Sequence, residues 1–111
     1  MPHCIIEHSA SLDAKLLLPL VFSSVKNSQL FDPDGSDIKV RAMAYQHYLT
    51  GQSQADFIHV VLRILSGRTT EQKQQLSALV LETLGELKLA LCSITVEVVD
   101  IDRSSYAKVL S

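Results

Sequence analysis

The chain has 111 residues, 47% of them hydrophobic and 20% charged, and ten Lys and Arg against twelve Asp and Glu leave a formal charge of −2. That length and balance suit one domain with one core and exclude intrinsic disorder. A mildly acidic chain with three Tyr, three Phe and no Trp lacks the basic field and stacking residues that nucleic-acid binding needs, so no nucleic-acid partner is expected.

The amino terminus, Met1-Pro2-His3-Cys4-Ile5-Ile6-Glu7-His8, has no basic region ahead of an apolar stretch and no small-residue cleavage site. A signal peptide is therefore not expected, and the cytoplasm is the expected location. From Pro2 to His8 the residues alternate in the two-residue period of a half-buried strand. Ser9 or Ser11 is placed to cap a following helix whose apolar positions Leu17, Leu18, Val21, Phe22 and Val25 recur at three- and four-residue spacing. Pro19 falls inside that pattern and predicts a kink or a restart. The apolar run Leu16 to Phe22 is far short of the roughly 18 to 20 residues of a bilayer span, so no membrane partner is expected.

Phe31-Asp32-Pro33-Asp34-Gly35-Ser36-Asp37 is dense in turn formers and reads as a loop. Beyond it, Ile38, Val40, Ala42 and Ala44 alternate with Lys39, Arg41, Met43 and Tyr45 as a second strand, with His47 and Tyr48 at its end. The polar stretch Thr50 to Gln54 separates it from the strongest strand, Phe57 to Leu65, which carries Ile58, Val60, Leu62 and Ile64 on one face. Ser66-Gly67-Arg68 is a tight turn. Thr69 with Gln72 forms a capping box for a long second helix striped by Leu76, Leu79, Val80, Leu84, Leu87 and Leu91. Ile94, Val96 and Val98 mark a fourth strand, and Asp102 is placed to cap a short terminal helix holding Tyr106.

The predicted fold class is α+β. One domain over residues 1–111 contains duplicated β-α-β units, pseudo-repeats 2–48 and 57–101, forming one four-stranded mixed sheet with two helices on one face. The other sheet face carries Val61, Val99 and Ile101, too apolar as a group for open water, and predicts burial against other subunits.

Four positions could carry chemistry. Removal of Met1 would leave Pro2 as a terminal secondary amine, a group that titrates near pH 8 and is neutral at physiological pH when buried beside cations. Lys39 and Arg41 sit about 7 Å apart on one strand face by the two-residue repeat, a spacing able to hold a carboxylate. Arg68 precedes the Thr69 cap, where unpaired helix N–H groups already favour anions, and Arg grips carboxylates bidentately. His3, His8, His47 and His59 show no ligand spacing, so no metal is expected. Cys4 and Cys92 form no Cys-x-x-Cys pair and read as inert thiols.

Met1-Pro2-His3 at the head of a strand, the duplicated plan, Ile38-Lys39-Val40-Arg41-Ala42 with Tyr48 and Gly51, Asp56-Phe57-Ile58-His59-Val60, Ser66-Gly67-Arg68-Thr69-Thr70-Glu71-Gln72-Lys73, and Glu97-Val98-Val99-Asp100-Ile101-Asp102-Arg103 with Tyr106 together resemble the tautomerase superfamily. The fit is closest to the 5-carboxymethyl-2-hydroxymuconate isomerases. The resemblance implies a tautomerase-like fold and a homotrimer with sites near subunit boundaries. It also implies a cofactor-free isomerase of aromatic compound catabolism, in which Pro2 is both general base and general acid. Arg41 and Arg68, with Lys39, would bind the carboxylates of an unsaturated 2-oxo acid. Two alternatives stay open at this point: a tautomerase of another enolisable 2-oxo acid such as a phenylpyruvate, and a non-catalytic ferredoxin-like oligomerisation module with the same element order.

Overall fold

A computed structural model describes residues 1–111. The elements are β1 (His3–Ser9), α1 (Ala14–Asn27), β2 (Lys39–Tyr45), β3 (Phe57–Leu65), α2 (Thr70–Gly85) and β4 (Ser93–Ile101). They form one four-stranded sheet in the order β2-β1-β3-β4. β1 pairs parallel with β2 and β3 parallel with β4, while β1 and β3 run antiparallel at the centre. The ferredoxin-like alternative is thereby set aside. In that split β-α-β arrangement another strand separates the two parallel ones, whereas here the parallel strands of each unit are hydrogen-bonded neighbours.

Both helices pack on the same sheet face and on each other. The core between them is built from Cys4 and Ile6 of β1, Ile58, Val60, Leu62 and Ile64 of β3, Leu17, Val21 and Val25 of α1, and Leu76, Val80 and Leu84 of α2. Alternation along β1 and β3 sends every second residue into this layer, as the strand period requires. Burial pushes the Cys4 thiol up to about 12, so it stays protonated and unreactive, and Cys92 is likewise raised by burial.

Several local expectations are corrected. Helix α1 is capped by Asp13, whose carboxylate accepts from the Lys15 backbone N–H. Ser9 and Ser11 instead donate their hydroxyls to Asp56 Oδ1 at 3.0 and 2.5 Å. Pro19 does not restart the helix, because α1 runs from Ala14 to Asn27 through it; Pro19 lies on the exposed side, where water can satisfy the Lys15 carbonyl it leaves free. Strand β2 ends at Tyr45, before His47 and Tyr48. Helix α2 has the predicted capping box but ends at Gly85. Leu87 still packs on the core from beyond the helix, whereas Leu91 adopts a positive φ and is 88% exposed. No terminal helix follows β4. Asp102 accepts from the N–H and hydroxyl of Ser104, which lowers its pKa and makes a local turn in place of a cap.

Glycine is required at one tight point. Gly35 has φ +73° and is buried, and a Cβ there would lie 2.7 Å from the Phe22 ring. That turn delivers the chain into the start of β2, with the Ile38 N–H donating to the Gly35 carbonyl.

Candidate active site

The sheet topology gathers the sequence-selected residues at one end of the molecule. Because β1 and β2 are parallel and β3 and β4 run against them, the starts of β1 and β2 share an end with the finishes of β3 and β4. Pro2, Lys39, the Ser66-Gly67-Arg68 turn and the segment after Ile101 all lie there. So do all four arginines of the chain, Arg41, Arg63, Arg68 and Arg103. His47 and Tyr48 follow the far end of β2, where Tyr48 packs against Phe57 with ring centroids 5.1 Å apart. They do not border this region.

Pro2 is buried, and its carbonyl accepts from the Lys39 N–H at 3.1 Å, one step beyond the β1–β2 ladder. Met1 precedes it with a side chain only 7% exposed. The Met1 ammonium lies 3.7 Å from Asp37, and its sulfur accepts from Lys39 Nζ at 2.9 Å. Lys39 thus contacts both Met1 and Pro2. Arg41, on the sheet face away from the helices, reaches back along that face so that its Nη1 donates to His3 Nδ1 at 3.3 Å. Arg68 does not join them directly. It donates to the Leu30 carbonyl and lies over the Phe31 ring, 5.6 Å from its centroid, in the loop that leads to β2.

Residue type and spacing assign no substrate role to three further residues of this end, His3, Arg63 and Arg103. His3 Nε2 meets Tyr106 Oη at 3.0 Å. Burial lowers the His3 pKa, and the charges of Arg41, Lys39, the amino terminus and Arg63 lower it further. Arg63 stands opposite His3 across β1 and β3. Arg103 donates from Nε and Nη2 to the Ser66 carbonyl at 3.1 and 3.0 Å, clasping the Gly67 turn. The carboxylate ion pairs of the chain involve only Met1, His59 and Lys73. Lys39, Arg41, Arg63, Arg68 and Arg103 therefore stand without carboxylate partners, an arrangement that attracts anions. On the strand pattern alone, Arg63 is one residue of the β3 face that points away from the core. Only the antiparallel pairing of β3 with β1 reveals its neighbour.

Two adjacent β-α-β units sharing one mixed sheet, with both helices on one side, define the tautomerase fold. The sequence profile of the 5-carboxymethyl-2-hydroxymuconate isomerase family matches residues 2–107. The chain belongs to that family and is an isomerase.

Solved structures agree on the fold. A 5-carboxymethyl-2-hydroxymuconate isomerase from Deinococcus radiodurans R1 is 21% identical, with a TM-score of 0.77, over 99% of this chain and 90% of that one. A 5-carboxymethyl-2-hydroxymuconate delta-isomerase is 16% identical, with a TM-score of 0.75, over 100% of this chain and 89% of that one. A fused 4-OT wild-type symmetric trimer is 17% identical, with a TM-score of 0.72, over 94% of this chain and 91% of that one. A comparison with curated proteins returned no match.

Proposed function

We propose that, once Met1 is removed, the Pro2 amine acts as general base and general acid in a cofactor-free isomerisation of an unsaturated, carboxylate-bearing 2-oxo acid. The substrate proposed is 5-carboxymethyl-2-hydroxymuconate, in the cytoplasmic breakdown of aromatic compounds. Burial of Pro2 at the end of the sheet where unpaired cations collect is the observation that carries this function. A profile match that begins at residue 2 supports it further.

In the proposed reaction the neutral amine takes a proton from the dienol and returns it further along the conjugated chain, so no net proton is consumed. Cations nearby favour the neutral amine. Lys39, Arg41 and Arg68 are the proposed carboxylate ligands. They would also stabilise the negative charge that builds on the 2-oxo oxygen as the proton leaves. Arg68 would keep its Leu30 anchor and present its remaining N–H groups.

The test is turnover by protein whose intact mass proves Met1 absent, compared with protein that retains it; equal turnover by the two forms overturns Pro2 as the base. Arg41→Ala and Arg68→Ala are each expected to raise KM roughly ten- to hundredfold, the range for losing a hydrogen bond between charged groups. An unchanged KM removes that residue from the substrate site.

A homotrimer is proposed with this activity. Support comes from solved neighbours described as symmetric trimers and from Ile5, Val61 and Val99 on the sheet face that the helices leave uncovered. Sedimentation equilibrium should return three times the chain mass, and a monomer mass refutes the assembly.

A further inference from the structure

We propose that His3 is a positioning residue for this isomerase: held by Tyr106, its neutral ring presents the Nδ1 lone pair to Arg41 and fixes the guanidinium for a substrate carboxylate without cancelling its charge. This rests on the reading of Arg41 as a carboxylate ligand.

The tautomer follows from the partners. Arg41 can only donate, so Nδ1, 3.3 Å from Nη1, carries no proton. The ring proton is then on Nε2, which donates to Tyr106 Oη at 3.0 Å. Tyr106 also packs edge-on to the imidazole, with centroids 6.1 Å apart and planes at 69°. The ring is thus fixed from both sides.

Chemistry explains why a histidine suits the place. An Asp or Glu bound to Arg41 would orient it equally well but would neutralise it and repel an incoming carboxylate. A neutral imidazole accepts one of the five guanidinium N–H groups and leaves four, with the full positive charge, for the substrate.

The charged groups facing His3 are Arg41 and Lys39 from β2, Arg63 from β3 and the amino terminus of its own strand, with Tyr106 from the carboxyl-terminal segment. Burial, and then the positive charges of Arg41, Lys39 and Arg63, which remain after Met1 is removed, depress the His3 pKa below its ordinary 6.5. The ring is therefore neutral at pH 7 and gains a proton only on acidification below that value. Protonation converts Nδ1 from an acceptor into a donor and sets two cations against each other, releasing Arg41.

The test uses the processed full-length protein. In turnover of 5-carboxymethyl-2-hydroxymuconate, His3→Ala is expected to raise KM about tenfold with kcat held within about threefold, as for one lost hydrogen bond to a charged group. His3→Asn, whose Oδ1 can accept where Nδ1 does, should restore KM to within about threefold of wild type. Wild-type KM should climb as pH falls below 6.5, and His3→Asn should lack that acid limb. On an Arg41→Ala background, His3→Ala should add nothing. Equal damage from Ala and Asn, or an acid limb retained in His3→Asn, overturns the proposal.

A second readout is independent of turnover. Nitrogen-15 spectra of the His3 ring should place its proton on Nε2 at pH 7, and Arg41→Ala should move the Nδ1 resonance. A proton on Nδ1, or no response to Arg41→Ala, overturns the contact. Failure of the proposed function would appear separately, as no turnover by wild type that lacks Met1, and the ring spectra would then decide the His3–Arg41 contact by themselves.

Discussion

Replacing Pro2 by Ala is expected to lower kcat by at least about a hundredfold, the low end of the roughly 10²- to 10⁴-fold that a positioned general base supplies. The fold should be untouched. Pro2 contributes only its carbonyl to the sheet, accepting from the Lys39 N–H, and alanine keeps that group. What changes is the terminal nitrogen. The pyrrolidine ring closes on the nitrogen and fixes the direction of the secondary amine's lone pair, whereas alanine offers a primary amine whose lone pair turns freely about the N–Cα bond. KM should move little, because Lys39, Arg41 and Arg68 are unaltered. The measurement is steady-state kinetics on protein shown by intact mass to lack Met1. A Pro2→Ala enzyme within about threefold of wild-type kcat would remove the proline from the mechanism.

The largest effect on stability is expected at Ile6→Ala, with a loss of about 2–5 kcal/mol. Ile6 lies on β1, inside the sheet, paired with Ala42 on one side and Val60 on the other, and is fully buried. Truncation removes its transfer free energy and leaves a cavity that two flanking strands and the overlying helices cannot close. Set against a typical total of about 5–15 kcal/mol, this is a large fraction. Urea unfolding at one fixed protein concentration is the appropriate measurement, because assembly couples to stability. Leu91→Ala, at an 88% exposed position, serves as the matched control and should cost almost nothing. A cost for Ile6→Ala no greater than for Leu91→Ala would mean that the core lies elsewhere.

The elements most legible in the sequence were those with purely local signals. The alternation of β3 from Phe57 to Leu65 and the Thr69–Gln72 capping box both appear as read, because a strand period and a reciprocal cap involve residues within a few positions of each other. The misread features depend on partners far away in the chain, or on competition between two local choices. Ser9 was a credible helix cap until folding brought Asp56, 47 residues distant, to its hydroxyl. Asp102 has the chemistry of a cap and of a side-chain turn alike, and its carboxylate is taken by the N–H and hydroxyl of Ser104, which closes the turn.

The candidate site divides the same way. Residue type and spacing drew attention to Pro2, Lys39, Arg41 and Arg68, because an imino terminus, a cation pair and an arginine at a helix start each carry a recognisable chemistry. Nothing local assigns a site role to His3, Arg63 or Tyr106. A histidine in a strand has no distinctive spacing, and Tyr106 reaches His3 across 103 positions of sequence.

By itself the sequence determined the two β-α-β units, the apolar strand faces and helix stripes, and a set of chemically apt side chains, since these rest on periodicity and local hydrogen bonding. The tertiary structure alone decided the strand order β2-β1-β3-β4, and through it which end of the sheet holds the amino terminus with all four arginines. Strand pairing joins residues by geometry and not by nearness in the chain. A net charge of −2 therefore gave no sign that the cations would converge at one end without carboxylates to balance them.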